Sequence, residues 1–310
     1  MKKSSRENVK TFIAGGVAGC VAKTTVAPFD RVKILLQAHH QHYKHLGVLS
    51  AIIAIQKREG FQGLFKGNSA QMIRIFPYAA IQFTSYEFYK PLALNTFGPG
   101  HISRLVPGAL AGLTAVLFTY PLDIIRARLA FQGSDTRIYK GIIHALSCMI
   151  TEDSGIRGFY RGITATIFGM VPYAGLSFYC FETLKVQLLT NAPEIFGSDN
   201  PNKENSKVLS IPAKLMCGAI SGAFAQTVSY PLDVVRRKMQ LAIMYPPEQQ
   251  YLFRSCSSTL KYVYIKYGVV NGLYRGLTVN YMKAAPMVAV SFSTYEVMKQ
   301  FLGLDTAVSR

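Results

Sequence analysis

The sequence predicts an all-α membrane protein with six transmembrane helices, built from three tandem two-helix repeats that each carry a short surface helix between their spans. Three observations carry this. Five sequence landmarks recur three times in register along 310 residues. Each repeat holds two apolar stretches of 18 or 19 residues, close to the roughly 20 that cross a bilayer. Charged residues make up only 16% of the chain, against roughly 25% in an ordinary soluble domain.

The landmarks run as follows. Pro28-Phe29-Asp30-Arg31-Val32-Lys33 recurs as Pro121-Leu122-Asp123-Ile124-Ile125-Arg126 and Pro231-Leu232-Asp233-Val234-Val235-Arg236. Paired glycines precede each proline: Gly15/Gly19, Gly108/Gly112 and Gly218/Gly222. An aromatic-basic-glycine step follows: Phe65-Lys66-Gly67, Tyr160-Arg161-Gly162 and Tyr274-Arg275-Gly276. Second prolines stand at Pro77, Pro172 and Pro286, ten residues before the closing acids Glu87, Glu182 and Glu296, each of which has a lysine three residues on (Lys90, Lys185, Lys299). Self-similarity at a fixed spacing is the signature of repeat architecture.

The spans are Phe12–Phe29 and Ser69–Tyr86, Leu105–Leu122 and Ile163–Phe181, and Leu215–Leu232 and Leu277–Tyr295. Surface stretches lie at Val48–Arg58, Ile142–Glu152 and Cys256–Lys266. We divide the chain into a tail (1–8), repeats at 9–92, 93–190 and 211–302, a loop at 191–210 and a closing tail at 303–310. Prolines kink such helices, and neighbouring segments satisfy the freed carbonyls. GxxxG pairs suit close helix approach in lipid. Each loop inside a repeat carries four Lys/Arg, whereas the loops between repeats hold only Arg104, or Lys203 and Lys207. The positive-inside rule then faces the intra-repeat loops inward and both termini outward.

Thirty-four Lys and Arg against sixteen Asp and Glu leave a net charge of +18, which points to an anionic partner. The basic residues are spread out rather than gathered into a nucleic-acid arm, so a soluble basic helical array is the weaker alternative. Five scattered cysteines without CxxC exclude a disulfide framework or zinc site. No nucleophile–base constellation or phosphate loop argues for an enzyme, and no cofactor is expected. His39, His40, His42 and His45 crowd one loop, but without acidic or cysteine partners they read as a solvated segment and not a metal site.

These motifs, matched over roughly residues 9 to 302, resemble the mitochondrial carrier family. The resemblance implies a pseudo-threefold barrel of six tilted helices, embedded as a monomer in the mitochondrial inner membrane with both termini toward the intermembrane space. It implies a matrix gate in which Asp30, Asp123 and Asp233 pair with Lys33, Arg126 and Arg236, each acid with the base of the next repeat, braced by Gln37 and Gln240. Ala130 in repeat 2 is no brace. A cytoplasmic gate follows from Glu87, Glu182 and Glu296 with Lys90, Lys185 and Lys299, braced by Tyr86 and Tyr295. Cardiolipin is the lipid implied at Lys66-Gly67, Arg161-Gly162 and Arg275-Gly276, where helix N-termini and cations suit a phosphate. Ser154 and Tyr267 depart from the pattern where repeat 1 has Glu59.

Ionisable residues inside spans are functional candidates. Arg74 and Lys283 stand 13 residues before the closing acids, about 20 Å along a helix, with Gly169 at the equivalent place in repeat 2. Lys23 is a third cation. Threefold symmetry is broken here, as an asymmetric substrate needs. Two or three cations fit a multiply charged anion. In the family, Gly169 followed by Met170 goes with adenine-containing substrates. The chain reads Arg236-Arg237-Lys238-Met239-Gln240-Leu241 where ADP/ATP carriers have three arginines and three methionines. It looks most like the branch linked to coenzyme A, and ATP-Mg exchanged for phosphate, ADP or adenosine 3′,5′-diphosphate are the alternative cargoes.

Overall fold

The computed structural model describes residues 2–98, 100, 102–133, 138–152, 155–199 and 207–304. Ser154, residues 200–206 of the inter-repeat loop and 305–310 of the closing tail lie outside them. The helices are α1 (Lys2–Thr25), α2 (Ala27–Gln37), α3 (Val48–Gly63), α4 (Asn68–Phe97), α5 (Ile102–Phe131), α6 (Ile142–Glu152), α7 (Ile163–Asn191), α8 (Pro193–Phe196), α9 (Ile211–Gln240), α10 (Pro247–Gln250), α11 (Cys256–Tyr267) and α12 (Leu277–Phe301). Helix α1 begins well inside the expected 1–8 tail. The 191–210 segment is not all loop: β1 (Gly197–Asp199) pairs antiparallel with β2 (Lys207–Leu209).

The first span breaks at Val26, where α1 and α2 meet at 58°. Pro28 is the second residue of α2, where its missing N–H costs no helical bond. The other kink prolines, Pro121 and Pro231, lie inside the continuous helices α5 and α9. A 30-residue helix such as α5 is about 45 Å long, ample for a tilted span. By hydropathy alone, among the described residues, only Leu105–Phe131 and Arg157–Asn191 qualify as spans, with the bent first pair a third. Helices α4, α9 and α12 are more polar, and among their polar residues are Arg74, Gln226 with Asp233, and Lys283, which build the site below.

Helix α4 packs on α5, α7 on α9, and α12 on α1, so the long helices meet across all three repeat boundaries. Phe83, Phe88, Phe118, Phe168 and Phe292 are each more than 60% exposed. Such outward rings are costly in water and natural in lipid. Surface helix α6 buries Ala145 and Met149 and leaves Ile143 and Ile150 exposed, a second apolar face suited to the membrane boundary. The dense core lies at one end of the barrel. There Leu35, Leu36, Tyr43, Ile55, Ala127, Phe131 and Leu241 form one buried cluster, and Tyr120, Ile124, Ile125 and Met149 another.

Candidate functional site

Asp30, Asp123 and Asp233 stand two residues past the prolines of α2, α5 and α9, and the structure brings them together in one ring. Arg126 donates to Asp30 at 2.6 Å, Lys33 to Asp233 at 3.1 Å, and Arg236 to Asp123. Each pair joins an acid to the base of the next repeat, not to the base three residues on in its own helix. Asp30 and Asp123 are buried, where an unpartnered carboxylate would be far costlier than the pair.

Beneath the ring, Gln37 donates to the Tyr230 hydroxyl (3.1 Å) and Gln240 to the Tyr120 hydroxyl (3.3 Å). These tyrosines immediately precede Pro231 and Pro121, and the sequence reading missed them. Each also donates to the basic residue of its own repeat's aromatic step, Tyr230 to the Arg275 carbonyl at 2.9 Å and Tyr120 to that of Arg161 at 3.1 Å. The within-chain signal was present: where repeat 1 has Ala27 in place of tyrosine, repeat 2 has Ala130 in place of glutamine. At that boundary buried Arg31 substitutes, donating to the carbonyls of Ala130 (3.1 Å) and Gln132 (3.2 Å).

Arg31 also pairs with Glu59 (2.7 Å), which Lys66 holds from the other side at 2.5 Å. Burial pushes the Glu59 carboxyl up, but the Lys66 hydrogen bond and the Arg31 charge outweigh it and hold it below its ordinary value. Lys66 is thus committed to protein, as is Arg275, which donates to the carbonyls of Lys44 and Leu46. Gly67, Gly162 and Gly276 all have φ between 81° and 87°. A Cβ on Gly67 would stand 2.8 Å from the Arg126 carbonyl, and one on Gly162 3.1 Å from that of Arg236. These glycines let even-numbered spans start against the neighbouring repeat's ring turn. A cleft of about 430 Å³ opens here between repeats 1 and 2, lined by Lys66, Gly67, Ser69, Tyr139, Lys140 and Gly141.

Arg74 and Lys283 face the ring, and neither is free. Arg74 pairs with Asp123 (3.1 Å), donates to Thr119 (3.3 Å) and lies over the Tyr78 ring at 5.1 Å. Lys283 pairs with Asp30 at 2.6 Å. Lys23 approaches the Met287 sulfur at 3.4 Å. Gly169 and Met170 line a cavity of about 170 Å³ with Thr166, Tyr173, Gln226, Ser229 and Asp233. The Ser229 hydroxyl is buried there without a hydrogen-bond partner, so Ser229, Gln226 and Tyr173 belong beside the residues found by repeat comparison. Their signal lay in the repeat: Tyr173 is in phase with Tyr78, Ser229 with Thr119 and Gln226 with Lys23.

At the opposite end the expected second ring is not assembled. Lys185 pairs with Glu182 (3.1 Å) and Lys299 with Glu296 (3.5 Å), each three residues apart in one helix. Lys299 lies over Tyr295 of its own helix at 5.5 Å. Glu87 and Lys90 are exposed and Tyr86 is half-buried. Among the described residues the ion pairs of these acids stay within one helix, and none joins two repeats at this end. Of the GxxxG pairs, a Cβ on Gly19 or Gly112 would touch only Ile75 (3.8 Å) or Met170 (3.9 Å), and nothing lies within 4 Å of one on Gly15, Gly108, Gly218 or Gly222.

The histidine segment departs from expectation. His39 is buried and stacked on Tyr267 (centroids 3.9 Å apart), with Nδ1 facing the Gln37 carbonyl at 3.1 Å and Nε2 that of Asn271 at 2.9 Å. His42 and His45 are exposed as expected. Among the described residues no group of three His, Cys, Asp or Glu is placed to hold a metal.

A family model described as mitochondrial carrier protein matches residues 4–96, 99–192 and 207–306. The chain is similar to solute carrier family 25 member 16 of Homo sapiens, 53% identical over 96% of this chain and 89% of that protein. It is 41% identical to the mitochondrial carrier protein CoAc1 of Arabidopsis thaliana, over 94% of this chain and 89% of the relative. The mitochondrial coenzyme A transporter SLC25A42 of Xenopus tropicalis is 39% identical over 97% and 88%.

Proposed function

Because the chain belongs to the mitochondrial carrier family, whose members are multi-pass transporters of the mitochondrial inner membrane and not enzymes, we propose that it carries coenzyme A or a closely related adenine nucleotide by alternating access, as an exchanger. The observation that carries this is the asymmetric pocket: Arg74, Lys283 and Lys23 above the closed ring, beside a cavity where Gly169 leaves room. A 3′-phosphate and a pyrophosphate supply separated anionic groups for the cations, Arg74 accepting a phosphate bidentately. The adenine ring lies against Gly169 and Met170, with Ser229 and Gln226 as polar contacts. A relative named as a mitochondrial coenzyme A transporter supports the same cargo.

In this reading the ring is the matrix gate and the opposite end is the cytoplasmic mouth, with both termini in the intermembrane space. Opening the ring separates three charge pairs; Glu87, Glu182 and Glu296 meeting Lys185, Lys299 and Lys90 at the other end compensates. Substrate drives the exchange by binding best to the state between. Cardiolipin phosphate occupies the cleft at Lys140 and Gly141, where the N-termini of α4 and α6 converge. We take the monomer as the working unit. Family membership replaces the nucleic-acid-binding alternative.

Proteoliposomes loaded with coenzyme A, adenosine 3′,5′-diphosphate, ADP or phosphate test the cargo. Labelled coenzyme A is expected to enter against internal coenzyme A or adenosine 3′,5′-diphosphate, and Arg74→Ala and Lys283→Ala each to abolish uptake without loss of membrane insertion. Uptake of ADP or phosphate alone would point to another member's cargo. Unchanged uptake by both variants would remove the site.

A further inference from the structure

A cavity of about 830 Å³ lies between α1 and α4, with Tyr295 of α12 on its border, a size typical of small-molecule sites. Helix α12 packs on α1, and α1 on α4. Side chains of three consecutive helices thus share one space, which the concave inner side of a barrel allows and its convex outer side does not. On α1, Gly16, Gly15 and Phe12 stand seven, eight and eleven residues before Lys23, on the face that carries that cation. On α4 the wall starts at Ile75, directly after Arg74, and runs away from the ring to Thr84. The cavity therefore continues upward from the cations.

Its chemistry differs from theirs. The wall is Phe, Ile, Gly and Ala with the hydroxyls of Thr11, Thr84 and Tyr295, and no charged side chain lines it. That is particular to repeat 1, since the place of Thr11 is Arg104 in repeat 2 and Lys214 in repeat 3. Such a wall suits an uncharged, partly apolar group that carries a few hydrogen-bonding atoms.

We propose that this cavity takes the uncharged arm of coenzyme A while Arg74, Lys283 and Lys23 hold its phosphates, and that it separates coenzyme A from nucleotides that lack the arm. This rests on the cargo reading above and selects among its members. The arm joins the pyrophosphate to a thiol through two amides, with an extended length of about 14 Å, that of about four residues of chain. Arg74 to Thr84 is about 15 Å of helix, and Lys283 to Tyr295 about 18 Å. An arm anchored at the cations ends level with those two hydroxyls, which satisfy its outer amide. Its dimethyl carbon lies against Phe76 and Ala79.

Equilibrium binding of labelled coenzyme A and labelled adenosine 3′,5′-diphosphate to the full chain in nanodiscs separates the arm from the nucleotide. Gly15→Leu and Ala80→Leu fill the cavity from its two walls. Nothing lies within 4 Å of a Cβ on Gly15, and Ala80 is exposed. The unsubstituted protein is expected to bind coenzyme A about tenfold tighter than adenosine 3′,5′-diphosphate. Each variant is expected to lose about tenfold for coenzyme A and no more than about twofold for the nucleotide. Phe118→Leu, on the outer face, changes neither. Equal loss for both ligands, or for neither, overturns the subsite, and the second is the result if a lipid chain fills the cavity. Equal affinity for both ligands before any substitution overturns it too, and leaves the adenine-nucleotide reading standing. Binding of neither ligand removes that reading, and the subsite with it.

Discussion

Arg31 is 1% exposed and divides its guanidinium among Glu59 and the carbonyls of Gly63, Ala130 and Gln132. In repeats 2 and 3 the same place is Ile124 and Val234, both fully buried, and Glu59 is replaced by Ser154 and Tyr267. The departures noted from sequence are thus compensated within each repeat: the acid is present only where the arginine needs it. Removing one partner of a buried pair costs about 3–5 kcal/mol, so Arg31→Ile is expected to lower the thermal midpoint strongly. Arg31→Ile with Glu59→Ser, the combination repeat 2 already uses, recovers most of that loss; no recovery in thermal unfolding counts against the pairing. His39 gives a pH dependence. Burial, with the Lys238 charge, holds its imidazole down to about 4 from 6.5, against the pull of the Asn271 and Gln37 carbonyls. The unfolded chain therefore takes up the proton first as pH falls, so the stabilisation is intact above 6.5 and lost between there and about 4. His40, lowered to about 4 by burial and by His42, has the same sign. Thermal unfolding from pH 8 to 4 is expected to show this loss, reduced in His39→Gln. The burial of His39 was not legible in the sequence, since Tyr267 and Asn271, which cover it, lie more than 200 residues away.

At the scale of elements, repetition read the spans better than hydropathy did. The repeat placed α4, α9 and α12 although their charges lower their hydropathy, because the landmarks around them kept register. Helix ends were less legible: α1 reaches back to Lys2, and the short β1–β2 ribbon had no sequence signal. The glycine steps at 67, 162 and 276 read as lipid sites, and they are also left-handed turns, packed against a neighbouring carbonyl at Gly67 and Gly162 and against the Tyr230 hydroxyl at Gly276. Gly67→Ala is expected to destabilise by about 1–3 kcal/mol, measured by thermal unfolding, whether or not cardiolipin is present. The GxxxG positions behave oppositely. Gly108→Leu and Gly218→Leu enter open space in this conformer, so folding is expected to be normal. If the small residues serve the conformer with the cytoplasmic end closed, uptake is lost; normal uptake would leave the stripe without that role.

For the whole molecule, the sequence could name both charged rings but not which is closed, since each ring carries its own matched set of acids and bases. In this structure the buried clusters lie at the ring end, where Asp30, Asp123 and Asp233 are paired. The central claim is that the two ends close in turn. Double electron–electron resonance on cysteine-substituted protein in proteoliposomes measures it, with one label pair at Val186 and Phe301 near the cytoplasmic end and another at Gln41 and Ile138 near the ring. On adding substrate to both sides, the ring-end distance is predicted to lengthen in the same population in which the opposite distance shortens. Two distances that stay fixed, or that lengthen together, would contradict it.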